Sequence, residues 1–167
     1  MQRSRWCRPT WDNIFRVPTS LTVQIRRLPT SRGLALPTYM TAGAAGMDLC
    51  AAVDGDVTIE PGEIVLVPTG LEVAIPDGFE GQVRPRSGLA VKHAVSLPNT
   101  PATIDADYRG EIRVPLINLG REPFLVSRGM RIAQFVVAPI VRVSWDEVVE
   151  LPATDRGNRG FGHSGVT

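Results

Sequence analysis

Four stretches of this chain place charged, amide and hydroxyl side chains where chemistry on a small anionic molecule is feasible. The first, Arg84-Pro-Arg86-Ser87-Gly88-Leu-Ala90, sets a guanidinium, a hydroxyl and an unhindered backbone N–H at the start of a predicted helical turn. A helix start offers free N–H groups and arginine a charged fork, which together suit a phosphate. The same residues also describe an ordinary N-capping serine beside a surface arginine. The second, Asn99-Thr-Pro-Ala-Thr-Ile-Asp105-Ala-Asp107-Tyr108-Arg109-Gly110-Glu111, is denser. Its amide can read the polar edge of a base, and a carboxylate can take a proton from water. In strand geometry Asp105 and Asp107 share a face, leaving one catalytic and the other structural. A polar hairpin in which Asp107 satisfies turn N–H groups is the plain alternative. Third, Gln134 stands among apolar neighbours in Gly129-Met-Arg131-Ile-Ala-Gln134, either as a phosphate partner or as an edge-strand glutamine facing water. Fourth, Asp48 is a carboxylate inside the apolar Gly46-Met-Asp-Leu, placed to orient an arginine such as Arg86 or to hold a metal-bound water.

Several chemistries are excluded. Lys92 is the only lysine and no Gly-Lys-Ser/Thr occurs, so there is no P-loop. There is no Gly-x-Ser-x-Gly, and neither His93 nor His163 sits in a triad context. Cys7 and Cys50 lie far apart without zinc spacing, which fits a reduced compartment and sets aside a Cys/His metal cage. Residues 1–32 carry seven arginines against Asp12 alone, a net of +6, while the remainder carries −5. The mildly acidic body argues against broad nucleic-acid binding. The basic start has no apolar h-region, so it is no secretory signal; an extension over 1–21 or an organelle-targeting peptide remains. No apolar run approaches the roughly 20 residues of a membrane helix, and a soluble, cytoplasmic protein is expected, organellar if the basic start is a targeting peptide.

The elements that must hold these residues are strands. Leu21–Ile25 alternates apolar and polar residues as a half-buried strand does. Further strands are predicted over Met47–Val53, Val57–Ile59, Ile64–Val67, Leu71–Ile75, Glu80–Val83, Glu111–Asn118, Phe124–Val126 and Arg131–Ala138, with Ile140–Ser144 as a last candidate. Glu60-Pro-Gly-Glu63 is a turn between two of them. Only Ser87–His93 has the makings of a helical turn, and no segment of 12 or more residues carries a helical apolar repeat. An all-β antiparallel sandwich or barrel follows, and the fourteen prolines suit its edges and loops. The 167 residues fit one domain over 22–150. Residues 151–167 end in a glycine-rich stretch that cannot bury enough surface to hold itself, and read as an arm that orders on a ligand.

In order along the chain, five strings resemble the motifs of the trimeric dUTPase family. They are Ala42-Gly-Ala-Ala-Gly-Met-Asp-Leu49, Pro85-Arg-Ser-Gly-Leu-Ala90, Thr103-Ile-Asp-Ala-Asp-Tyr-Arg-Gly-Glu111, Arg128-Gly-Met-Arg-Ile-Ala-Gln134 and Arg156-Gly-Asn-Arg-Gly-Phe-Gly-His-Ser-Gly165. Each is weak alone; five in order across residues 42–165 are specific. The resemblance implies a jelly-roll-like distorted β-barrel of the β-clip kind, assembled as a homotrimer whose three active sites each draw on all three subunits. It implies hydrolysis of dUTP to dUMP and pyrophosphate, which keeps uracil out of DNA and supplies dUMP for dTMP synthesis. By motif position Asp105 is similar to the carboxylate that activates the attacking water. Asn99 matches the amide that reads uracil from a β-hairpin, and Tyr108 the tyrosine that packs on deoxyribose and leaves no room for a 2′-hydroxyl. Arg86, Ser87, Gly88, Gln134 and Arg156 match phosphate contacts, Phe161 the aromatic that stacks on the base, and Asp48 a carboxylate near the phosphate and metal region. The implied cofactor is Mg²⁺, held by triphosphate and waters without direct protein ligands.

Departures from the pattern are few. Ala102 replaces a usual glycine and costs about 1 kcal/mol if that position needs positive φ. Arg159 replaces another glycine in the tail, and His163 and Ser164 stand where small hydroxyl residues are common. Two alternatives stay open: a dCTP deaminase of the same fold, which wants a glutamate proton shuttle, and a catalytically silent nucleotide-binding regulatory protein.

Overall fold

The computed structural model describes residues 20–160. Eleven strands and one helix are arranged as β1 (Gln24–Arg27), β2 (Met47–Cys50), β3 (Val57–Ile59), β4 (Ile64–Pro68), β5 (Leu71–Ala74), β6 (Phe79–Pro85), α1 (Ser87–His93), β7 (Val95–Ser96), β8 (Ala102–Ile104), β9 (Arg113–Asn118), β10 (Phe124–Val126) and β11 (Arg131–Pro139). Every pairing among them is antiparallel, in the sheets β2-β11-β6-β8, β4-β9-β7, β1-β5 and β10-β3. The expected all-β architecture is therefore observed, with α1 where a helical turn was predicted.

Alternation drives this arrangement. Along β9, Val114, Leu116 and Asn118 are buried while Arg113 faces water, so one side of the strand enters the core. The core holds Leu49, Ile59, Val67, Val73, Val83, Ile112, Val126, Ile132 and Phe135, drawn from all four sheets and the loops between them. Burying each such side chain fully contributes about 1.5–3 kcal/mol. Asn118 is fully buried, yet its amide donates to the Ile59 and Glu122 carbonyls at 2.9 and 2.8 Å and its oxygen accepts from Gly120 N–H at 2.9 Å. That buried amide is fully answered, so it ties β3 to β9 without a desolvation penalty.

Several boundaries differ from the sequence expectation. Strand β1 begins at Gln24 rather than Leu21, and β9 at Arg113 rather than Glu111. Strands β7 and β8 were not anticipated; two and three residues are too short to show a period. Ile140–Ser144 is not a strand: after the Ile140 N–H bonds the Gly78 carbonyl at 2.9 Å, no described strand lies alongside, and Val141, Val143 and Trp145 are exposed. Alternation alone cannot make a strand without a neighbour. Residues 151–160 of the predicted arm are almost wholly exposed and bend through two successive turn bonds, Gly157 N–H to the Thr154 carbonyl at 3.0 Å and Arg159 N–H to the Arg156 carbonyl at 3.3 Å. Residues 1–19 of the expected extension over 1–21, together with Phe161, His163 and Ser164, lie outside the described residues.

Candidate active site

Strand β6 organises the candidate residues, because they collect at its two ends. At its C-terminal end the chain turns from Pro85 into α1, with Arg86 in extended conformation as the residue before the helix. Leu89 and Ala90 N–H both return to the Arg86 carbonyl at 3.0 Å, so the amides of Ser87 and Gly88 lack intrahelical acceptors. Ser87 is not a capping serine; Arg86 occupies the cap position, without a side-chain cap bond, and Ser87 and Gly88 are both exposed. A Cβ on Gly88 would meet nothing within 4 Å, so packing within this chain does not demand glycine there.

Beside this turn, β11 runs between β2 and β6 and brings Gln134 opposite both Asp48 and Arg84. Gln134 is thus on a central strand, and the edge-strand alternative is removed. Asp48 is almost fully buried, and its two oxygens are divided: Oδ1 accepts from Arg86 Nε and Oδ2 from Arg131 Nη1, each at 3.0 Å. Arg86 Nη1 also donates to the Arg131 carbonyl at 3.2 Å. One carboxylate therefore holds two guanidiniums side by side, and each keeps part of its surface exposed. Pairing with Arg86 was one of the two expected roles of Asp48. The other, holding a metal-bound water, would draw on the lone pairs that the two arginines leave free. The sequence reading did not single out Arg131; its contact depends on the β2–β11 register, which spacing in the chain does not reveal. The half-buried Cys50 thiol next to this cluster is pushed up from its ordinary pKa, first by burial and then by the Asp48 charge, which outweigh the opposing arginines. It stays protonated at neutral pH, where a thiol is a poor nucleophile.

The other end of β6 is different. Strand β8 pairs with β6 through Ile104 opposite Gly81 and Ala102 opposite Val83, so Asp105 follows beside Glu80. Asp105 and Asp107 do not lie in a strand, as expected from their spacing; the chain turns there, with Tyr108 N–H bonding the Asp105 carbonyl at 3.1 Å. Both are exposed and line a cleft of about 450 Å³ with Asp77, Glu80 and Arg142. Among the described residues neither carboxylate has a hydrogen-bonded partner, so Asp107 does not close a polar hairpin. Tyr108 is 43% exposed, and its hydroxyl donates to the Glu111 carbonyl at 3.0 Å. Asn99 is exposed and precedes β8. The expected hairpin is instead two strands in separate sheets, β8 against β6 and β9 against β4 and β7. Ala102 lies in β8 with no positive φ, so the anticipated penalty for alanine does not arise. Arg156, far along the chain, is exposed, and its Nε donates to the Arg159 carbonyl at 2.9 Å.

Glu80 and Arg86 are six positions apart in extended chain, about 20 Å at strand rise. Within one chain the arginine pair and Asp105 thus stand too far apart to touch the same phosphorus. Among the described residues no group of three His, Cys, Asp or Glu side chains is placed to hold a metal ion.

Comparison with known proteins bears on this arrangement. A family model described as dUTPase matches residues 33–165. A curated relative from Desulfotalea psychrophila, a deoxyuridine 5'-triphosphate nucleotidohydrolase, is 61% identical over 133 residues, covering 80% of this chain and 89% of the relative. Another of that name, from Caldanaerobacter subterraneus subsp. tengcongensis, is 52% identical over 147 residues, 88% and 99% of the two chains. Among solved structures, Staphylococcus bacteriophage 80alpha dUTPase with dUpNHpp superposes with a TM-score of 0.76 at 28% identity, covering 88% of this chain and all of that one.

Proposed function

We propose that this chain, which belongs to the dUTPase family, hydrolyses dUTP to dUMP and pyrophosphate. The observation that carries the proposal is the buried Asp48 holding Arg86 and Arg131 side by side next to the free amides of Ser87 and Gly88. A triphosphate carries nearly four negative charges, so neutralising them is the main demand of its hydrolysis. Paired arginines and open helix amides supply that in fixed positions, and the empty space over Gly88 leaves room for close approach of a phosphate. Gln134 adds a neutral donor on the same side. The deaminase and silent-regulator alternatives find no support in the relatives.

Asp105 is assigned the attacking water. It is exposed and uncommitted, so it can orient a water toward the α-phosphorus and accept its proton as pyrophosphate leaves. Tyr108 packs on the deoxyribose, Asn99 reads uracil, and Arg156 and Phe161 close over the nucleotide from the tail. Cytosine would face the uracil-reading groups with an amine, leaving donors unpaired, and the thymine methyl would meet backbone. Magnesium would enter with the triphosphate, ligated by phosphate and water. Bound there, it would neutralise charge on the leaving pyrophosphate.

The separation of about 20 Å along β6 implies that another copy supplies Asp105 and Tyr108 to each arginine pair. The run from 141 to 151 supports such an assembly, since Val141, Val143, Trp145, Val149 and Leu151 lie exposed in the single chain. A homotrimer with shared sites accounts for both features, and light scattering of the purified chain measures it. The function itself is tested by incubating the chain and Mg²⁺ with dUTP, dCTP, dTTP or UTP and measuring pyrophosphate and ammonia. Pyrophosphate from dUTP alone is expected; ammonia from dCTP, or no product, would remove the proposal.

A further inference from the structure

We infer that Glu111 is a positioning residue for sugar discrimination, its side chain fixing the backbone carbonyl on which Tyr108 docks; this rests on the dUTP reading and deepens it. The Tyr108 hydroxyl donates to the Glu111 carbonyl at 3.0 Å. Beneath the ring, a Cβ on Gly110 would meet ring atom Cζ at 2.6 Å, so only glycine lets the ring lie down on the chain. The ring therefore has one seat, with Gly110 under it and a carbonyl at its tip. That seat is as firm as the carbonyl itself.

The Glu111 side chain is what fixes it. Its Oε1 accepts from the Gly70 N–H at 2.8 Å, and its Oε2 accepts from Arg113 Nε at 2.8 Å. The next residue extends the attachment, for Ile112 N–H donates to the Leu71 carbonyl at 2.8 Å and Thr69 Oγ1 donates to the Ile112 carbonyl at 2.6 Å. Segment 111–113 is thus bound to the loop between β4 and β5. That loop cannot easily yield: Gly70 has φ +65°, and the place of its missing Cβ is 2.7 Å from the Ser31 backbone nitrogen. A half-exposed aromatic ring changes rotamer at little cost when nothing holds it. A steric barrier to a 2′-hydroxyl requires a ring that cannot step aside, and the chain Tyr108–Glu111–Gly70 supplies that constraint.

The test compares dUTP with UTP in the full chain bearing Glu111→Ala, Glu111→Gln or Tyr108→Phe. Discrimination is read twice, as the ratio of kcat/KM values and as the ratio of affinities for the imido analogues of the two nucleotides. Glu111→Ala should raise the UTP share roughly fivefold, the factor one net hydrogen bond supplies. Glu111→Gln, which keeps an acceptor for Gly70 N–H, should restore most of the discrimination. Tyr108→Phe removes only the docking hydroxyl and should shift the ratio in the same direction, so the inference stays testable if Glu111→Ala does not fold. An unchanged ratio in Glu111→Ala or in Tyr108→Phe, or an equal fall for both nucleotides, overturns the inference. Absence of dUTP turnover by the unaltered chain counts against the dUTP reading instead, and the affinity ratio then still decides the role of Glu111.

Discussion

Asp48 and Asp105 stand at opposite ends of the same sheet and are treated in opposite ways. Asp48 is buried, and each of its oxygens is occupied by an arginine at 3.0 Å. Asp105 sits on an exposed turn with no partner among the described residues. A carboxylate fixed by two guanidiniums spends its charge on them and holds those cations where an anion can meet them. A carboxylate left in solvent positions nothing, yet it can take a proton. On the proposed function, charge neutralisation and water activation fall in two regions about 20 Å apart, and association of copies would bring them together.

The largest effect that can break this division is at Asp105. Asp105→Asn should lower kcat by roughly 10²–10⁴, the usual contribution of general-base catalysis, while dUpNHpp still binds. Calorimetry with steady-state kinetics checks both halves; lost binding with normal turnover would reverse the assignment. Asp48→Asn should do the opposite. Removing the charge between two arginines should cost about 1–3 kcal/mol of stability and weaken analogue binding about tenfold, more than it lowers kcat. Denaturant unfolding and a binding titration measure these, and unaltered affinity would mean that the ion pairs do not position the cations.

A smaller change sharpens the comparison by touching neither end. Ala94 closes α1 in the left-handed region at φ 54°, which disfavours a side chain. Ala94→Gly should stabilise the chain by up to about 1 kcal/mol without altering turnover, as a thermal melt and an assay can show. The smallest effect concerns the exposed pair Arg26–Glu72 across β1 and β5. The hydrogen bond from Arg26 holds the Glu72 carboxyl below its ordinary value of 4.5, so its contribution is present above that value and lost as pH falls through the lower, folded one. Protection factors of the β1 amides, corrected for the intrinsic pH dependence of exchange, should be steady from neutrality to that value and fall only in more acidic solution; a fall already at neutral pH would show that the pair contributes nothing.

Much of this molecule was legible in its sequence because the evidence was local. β-branched and aromatic residues between turn signals marked Val57–Ile59 and Phe124–Val126 to the residue, Ser87–His93 stood out as a helical turn, and the absence of a long helical repeat pointed to the all-β class. Residue types in ordered strings also singled out Asp105, Tyr108, Arg86 and Gln134 as candidates. What the sequence could not give were facts made by register and by pairing across sheets. The engagement of Asp48 with Arg131, 83 positions away, exists only because β11 lies against β2 in one alignment. The turn at Asp105 arises because β8 leaves the edge of β6 after Ile104, and Ile140–Ser144 fails as a strand because nothing lies beside it. Side-chain chemistry and local period are written one residue at a time. Distance between remote carboxylates, and the company each one keeps, is decided when strands choose their neighbours.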